Sequence, residues 1–198
     1  MRKRKNDKQI KHVTPILTDW DRKFMAYHEA GHAVCSYYLP ERESLVCITI
    51  DPSCEAFGMI KTEPRLHHNE TEISFCSMIS TFLAGRISEE MFLKSKTTSC
   101  IYDLRSARQI ATDMVTKFGM GETQGVTALN FDEYPQISDE MKENICRDIQ
   151  KILVRAEKHA KEILEKHHAK VINLADLLLN NGTLNKSEIS DFFSRQQK

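Results

Sequence analysis

No CxxC pair occurs among the six cysteines, Cys35, Cys47, Cys54, Cys76, Cys100 and Cys146. That absence excludes a zinc ribbon and a dithiol redox motif. No uncharged stretch approaches the roughly 20 apolar residues a bilayer span needs; the longest, Ile73–Gly85, is shorter and includes Ser and Thr. Net charge is absent too, with Lys+Arg and Asp+Glu at 28 each, so no overall field favours nucleic acid or an anionic membrane. No apolar run follows the charged first residues. A secretory signal is therefore not expected, and reduced thiols in a cytoplasmic compartment are.

What is present is an ordinary globular composition, 40% hydrophobic and 28% charged over 198 residues, enough for one domain with a core. The charge balance conceals one asymmetry. Arg2, Lys3, Arg4, Lys5, Lys8 and Lys11 face only Asp7 within residues 2–11. The expectation is a basic, disordered arm over residues 1–17, able to contact an anionic partner, followed by a single domain over 18–198.

The periodicities predict a mainly α fold. Thr18 followed by Asp21 marks a helix start, Phe24, Ala30, Val34 and Tyr37 recur at helical spacing, and Leu39-Pro40 ends the helix. Leu45–Asp51 (LVCITID) reads as a strand, and Phe57–Lys61 as its partner across a turn at 52–55. Asn69 with Glu72 opens a second helix running to about Phe92, and 94–102 reads as a polar loop. Asp103–Phe118 reads as an amphipathic helix with Leu104, Ala107, Ala111, Met114, Val115 and Phe118 on one face. The C-terminal part reads as a bundle: Ser138–His168, Lys170–Leu179, a stop at Asn181-Gly182, and a short helix opened by Asn185 and Glu188.

The chemistry is concentrated in Tyr27-His28-Glu29-Ala30-Gly31-His32. Histidines four apart on a helix project from one face, and two imidazoles at that spacing can share a Zn²⁺. Glu29 is placed to act as general base on water polarised by the metal. Gly31 costs about 1 kcal/mol relative to Ala inside a helix, which close packing there would explain. Catalytic zinc usually takes a third protein ligand. Glu89, Glu90, Asp103 and Asp113 are the candidates, and spacing does not choose among them.

The ordered set of motifs resembles the peptidase domain of the FtsH-type ATP-dependent zinc proteases, from about Trp20 to Phe193. Ala26–Val34 (AYHEAGHAV) is similar to that family's zinc helix and Leu83–Glu90 (LAGRISEE) to its second helix. Thr97–Leu104 (TTSCIYDL) resembles the loop ending in its Asp ligand, and Ala111–Met120 (ATDMVTKFGM) the segment that follows. The resemblance implies Zn²⁺ held by His28, His32 and Asp103, with Glu29 as base. It implies that Glu89 or Glu90 orients a ligand histidine. It implies a helical peptidase domain with a small β ribbon beside the metal, acting on unfolded or flexible polypeptides. Leu45–Asp51 or Phe57–Lys61 would take substrate as an added strand. Hexameric self-association and an AAA ATPase supplied separately are further implications, since no GxxxxGK[ST] occurs here. Ser99 stands where the family commonly has Gly, and Ile101-Tyr102 replace small polar residues. With these departures, the other reading is a weak or inactive peptidase-like module that binds or regulates an FtsH-like assembly.

Overall fold

The computed structural model describes residues 17–41, 44–51, 58–63, 69–123, 128–129 and 136–195. The basic arm up to residue 16 and the turn at 52–55 lie outside the described residues. Six α-helices and three short strands occur among them: α1 Asp19–Tyr38, β1 Ser44–Thr49, β2 Met59–Glu63, α2 Glu72–Ser88, α3 Ile101–Thr116, α4 Asp139–Lys166, α5 His168–Asn181, β3 Thr183–Asn185 and α6 Lys186–Arg195. The fold is mainly α, as the periodicities predict.

Local chemistry sets the helix ends. Thr18 caps α1 in a reciprocal box, accepting from Asp21 N at 3.1 Å while Asp21 Oδ2 accepts from Thr18 N at 2.9 Å. The cap of α2 is Thr71 with Ser74 rather than Asn69 with Glu72. Glu72 is instead engaged by Arg155 on α4 at 2.8 Å, so a carboxylate that fits a capping box serves an interhelix pair. Beyond Ser88 the second helix continues as one π turn, Glu89–Leu93, closed by left-handed Lys94. A 3₁₀ turn, Thr98–Cys100, lies inside the expected loop. It brings the start of α3 forward to Ile101, two residues before Asp103. Asn185 opens α6: its Oδ1 accepts from Glu188 N at 3.2 Å, and Glu188 Oε2 accepts from Asn185 N at 2.8 Å.

The sheet order is β2-β1-β3, antiparallel throughout. A bulge between Leu45 and Cys47 shifts the β1–β2 register. The third strand has no signature in the sequence, because three residues are too few to alternate. It starts at Thr183, directly after Gly182 turns the chain with φ +74°.

The core lies between α1, α2, α4 and α5, with Val34, Ile79, Leu164, Leu174 and Leu178 fully buried. Gly31 lets α1 and α2 approach: a Cβ there would meet Ser88 Cβ at 2.5 Å and the Ala84 carbonyl at 2.7 Å. On α3, Ala107, Ala111, Met114 and Val115 are buried as expected, but Leu104 and Phe118 are exposed. Phe118 lies beyond the end of α3 and stacks on Phe75 instead of entering the core.

Candidate metal centre

The middle of α1 is buried, so His28, Glu29 and His32 are all largely removed from solvent. Four-residue spacing places His32 Nε2 3.0 Å from His28 Nε2. α3 brings Asp103 to the same point: its Oδ2 lies 3.2 Å from His28 Nε2 and 3.5 Å from His32 Nε2. These three side chains form a group able to hold a metal ion.

Hydrogen bonding behind the rings fixes what they present. His32 Nδ1 lies 2.6 Å from the Thr81 carbonyl, which only accepts, so this nitrogen carries the proton. His28 Nδ1 lies 2.7 Å from Glu89 Oε1 and donates likewise. Both Nε2 atoms are then lone-pair donors to a cation, facing one another and a carboxylate oxygen. Three acceptors this close repel unless a positive charge sits among them. Their separations match the ~3.3 Å edge of a tetrahedron built on zinc–ligand bonds of about 2.0–2.1 Å. Gly85 on α2 leaves room at the ring tips, since a Cβ there would fall 2.5 Å from His32 Nε2 and 2.8 Å from His28 Nε2. Ligand type, spacing and space all fit a tetrahedral Zn²⁺.

The electrostatics register the same demand. Burial works to lower the His28 pKa, but hydrogen bonds to Asp103 and Glu89 outweigh it and raise the value to about 10. The Asp103 carboxyl, despite burial, is held well below its ordinary range by His28 and His32. Burial pushes Glu29 up, against the two histidines and with help from Asp103. Its carboxylate lies beside the start of β2: a Cβ at Gly58 would meet Glu29 Oε1 at 2.5 Å, and Gly58 has φ +126°. The ribbon therefore borders the metal group, as expected.

The remaining acids separate clearly. Glu89 is fully buried and accepts from His28, from Thr97 N at 2.7 Å and from Ser99 Oγ at 3.0 Å. Those bonds hold its pKa low despite burial. Glu90 is exposed and pairs with Lys96 at 2.9 Å. Asp113 pairs with Lys117 at 2.9 Å, roughly 15 Å along α3 from Asp103 at 1.5 Å per residue. Nothing in the sequence marks Thr81, Gly85 or Thr97 as partners in the site. Thr81 acts through its backbone, which no side-chain motif reports.

Residues 15–192 match Peptidase family M41. An ATP-dependent zinc metalloprotease FtsH of Thermobaculum terrenum is 30% identical over 195 residues, covering 92% of this chain and 30% of that protein. The FtsH of Borreliella burgdorferi is 33% identical, covering 88% of this chain and 29% of its own length. The ATP-dependent zinc metalloprotease YME1L1 of Homo sapiens is 33% identical, with 85% and 22% covered. The chain thus spans less than a third of these relatives.

Proposed function

This chain belongs to peptidase family M41, and from that premise we propose that it is a zinc endopeptidase whose metal is held by His28, His32 and Asp103. The observation that carries the reading is the triangle of acceptors, 3.0–3.5 Å on a side, formed by two buried histidines and a half-buried carboxylate, with Glu29 next to it in the sequence. Zinc supplies Lewis-acid polarisation of water and of the scissile carbonyl. Glu29 takes a proton from the attacking water at a carboxylate oxygen as the new C–O bond forms. It then delivers that proton to the amine nitrogen as the C–N bond breaks. Without a metal, burial pushes the Glu29 pKa up, the direction that suits a general base. Glu89 and the Thr81 carbonyl hold the two rings in the tautomer that offers Nε2.

Substrate is proposed to lie along β2 as an added strand. β1 is paired on both sides at Cys47–Thr49, so it is not the receiving strand. Among the described residues β2 pairs on one side only, and Gly58, directly before it, lies beside Glu29. Main-chain pairing suits unfolded or flexible polypeptides of varied sequence. Residues 18–198 form the peptidase unit in this reading, acting in a hexameric assembly with an ATPase that delivers the polypeptide.

The test is metal content and turnover of the isolated chain. About one zinc per chain and chelator-sensitive cleavage of casein are expected. A zinc-free protein, or zinc-loaded protein that cleaves nothing, overturns the reading in favour of a non-enzymatic module.

A further inference from the structure

Two hydroxyls meet behind the metal group. Glu89 Oε1 accepts from His28 Nδ1 at 2.7 Å, and Thr97 Oγ1 and Ser99 Oγ lie 3.1 and 3.0 Å from the same oxygen. Glu89 Oε2 accepts from Thr97 N at 2.7 Å. The two hydroxyls are 2.6 Å apart, and each has a single proton to give. Oxygens that close need a proton between them. One hydroxyl therefore donates to Glu89 and the other donates to that hydroxyl, so the pair grips the carboxylate as a unit whichever way the bonds run.

This grip joins separate elements. Glu89 opens the π turn that extends α2, and Thr97 caps the 3₁₀ turn, containing Ser99, that leads into α3. Asp103 stands on the first turn of α3, and its Oδ2 returns to His28 Nε2 at 3.2 Å. A closed circuit results. His28 bonds Glu89, Glu89 bonds Ser99, the chain runs from Ser99 into Asp103, and Asp103 meets His28 again. Ser99 is exposed, so it does not serve to fill the core; its hydroxyl is the engaged part. A glycine, common in the family at this place, offers no such donor. A free glutamate side chain has many rotamers to lose, and bonds to both its oxygens remove that freedom before a cation arrives.

We propose that Ser99 is a positioning residue for the metal centre: together with Thr97 it fixes Glu89 against His28 and thereby aligns His28 and Asp103 for the cation. This deepens the peptidase reading and rests on its ligand set. Ser99 touches neither substrate nor metal. Its departure from the family pattern then supports the site, by one added hydrogen bond.

The experiment compares the full chain with Ser99→Ala, Ser99→Thr and Thr98→Ala by zinc competition against a chelator of known affinity. Ser99→Ala is expected to bind zinc about three- to tenfold more weakly at unchanged stoichiometry, the scale of one hydrogen bond. Ser99→Thr keeps the hydroxyl and should restore affinity to within about twofold of the wild type. Thr98→Ala, exposed in the same turn, should match the wild type. Unchanged or tighter binding in Ser99→Ala overturns the assignment. So does a loss that Thr98→Ala shares or that threonine fails to rescue, because turn stability alone would explain it. Proton NMR of the zinc-free chain adds a readout that needs no metal. The His28 Nδ1 proton, identified by its absence in His28→Ala, should exchange with water about threefold or more faster in Ser99→Ala, as Glu89 loosens and the bond opens more often. That contrast in a chain that binds no zinc supports Ser99 and sinks the peptidase reading. Zinc-dependent cleavage with equal exchange and equal affinity in the two proteins does the reverse.

Discussion

Glu89 Oε1 accepts from His28 Nδ1 at 2.7 Å, on the opposite side of the ring from Asp103. A fully buried carboxylate thus sets the tautomer of His28, the proposed ligand, and raises its basicity. Glu89→Gln keeps an acceptor of similar shape but removes the charge. Its zinc affinity is expected to fall about 10- to 100-fold, the usual cost of losing such a partner. Competition against a chelator of known affinity measures it, and unchanged affinity would show that Glu89 only packs.

Asp103→Ala should lose zinc and turnover together, because two imidazoles alone leave the cation under-coordinated. Asp113→Ala, on the same helix but paired with Lys117, should retain both. Metal analysis of the two proteins side by side decides. Full zinc occupancy in Asp103→Ala would move the third ligand elsewhere.

Chelator-treated protein should show an inverted pH response. The raised pKa of His28, about 10 against an ordinary 6.5, contributes stability that is complete below pH 6.5. That contribution is lost as pH rises through about 10. Asp103, with its pKa depressed, contributes stability above about pH 3.9 that is lost in acid. Zinc must displace the His28 proton, so its affinity should rise about tenfold per pH unit between about pH 6 and 8. Thermal melts with and without zinc follow both effects. A zinc-induced shift independent of pH would contradict the assignment of His28 as a ligand.

Two glycines should fail differently. Gly31→Ala drives a Cβ against Ser88 and the Ala84 carbonyl. About 1–3 kcal/mol of overpacking, offset by up to about 1 kcal/mol of helix propensity, should lower the melting temperature with zinc still bound. Gly85→Ala drives its Cβ into the two ring tips, so zinc affinity should fall more than stability. Equal zinc affinity in the two variants would deny Gly85 its role in making room for the ligands.

How much of this was legible in the sequence follows from what kind of contact each residue makes. The sequence points to His28 and His32 as proposed ligands and to Glu29 beside them because ligand spacing and helix period coincide. Among four acids only the family resemblance points to Asp103, since a proposed ligand 75 residues from His28 carries no local signature. Glu89 and Glu90 are adjacent and alike in sequence; only the π turn that follows Ser88 separates a buried partner of His28 from a surface ion pair. Leu104 and Phe118 show the limit of the helical stripe. Periodicity reports that one face is apolar, not that a neighbour covers it to both ends.

The central claim is that Glu29 works on water at a metal held by other residues, and one substitution tests it most directly. Glu29→Gln should bind zinc at the wild-type stoichiometry and lose casein cleavage by about 10²–10⁴-fold, the range attributed to general acid–base catalysis. Wild-type turnover in zinc-loaded Glu29→Gln would contradict the account.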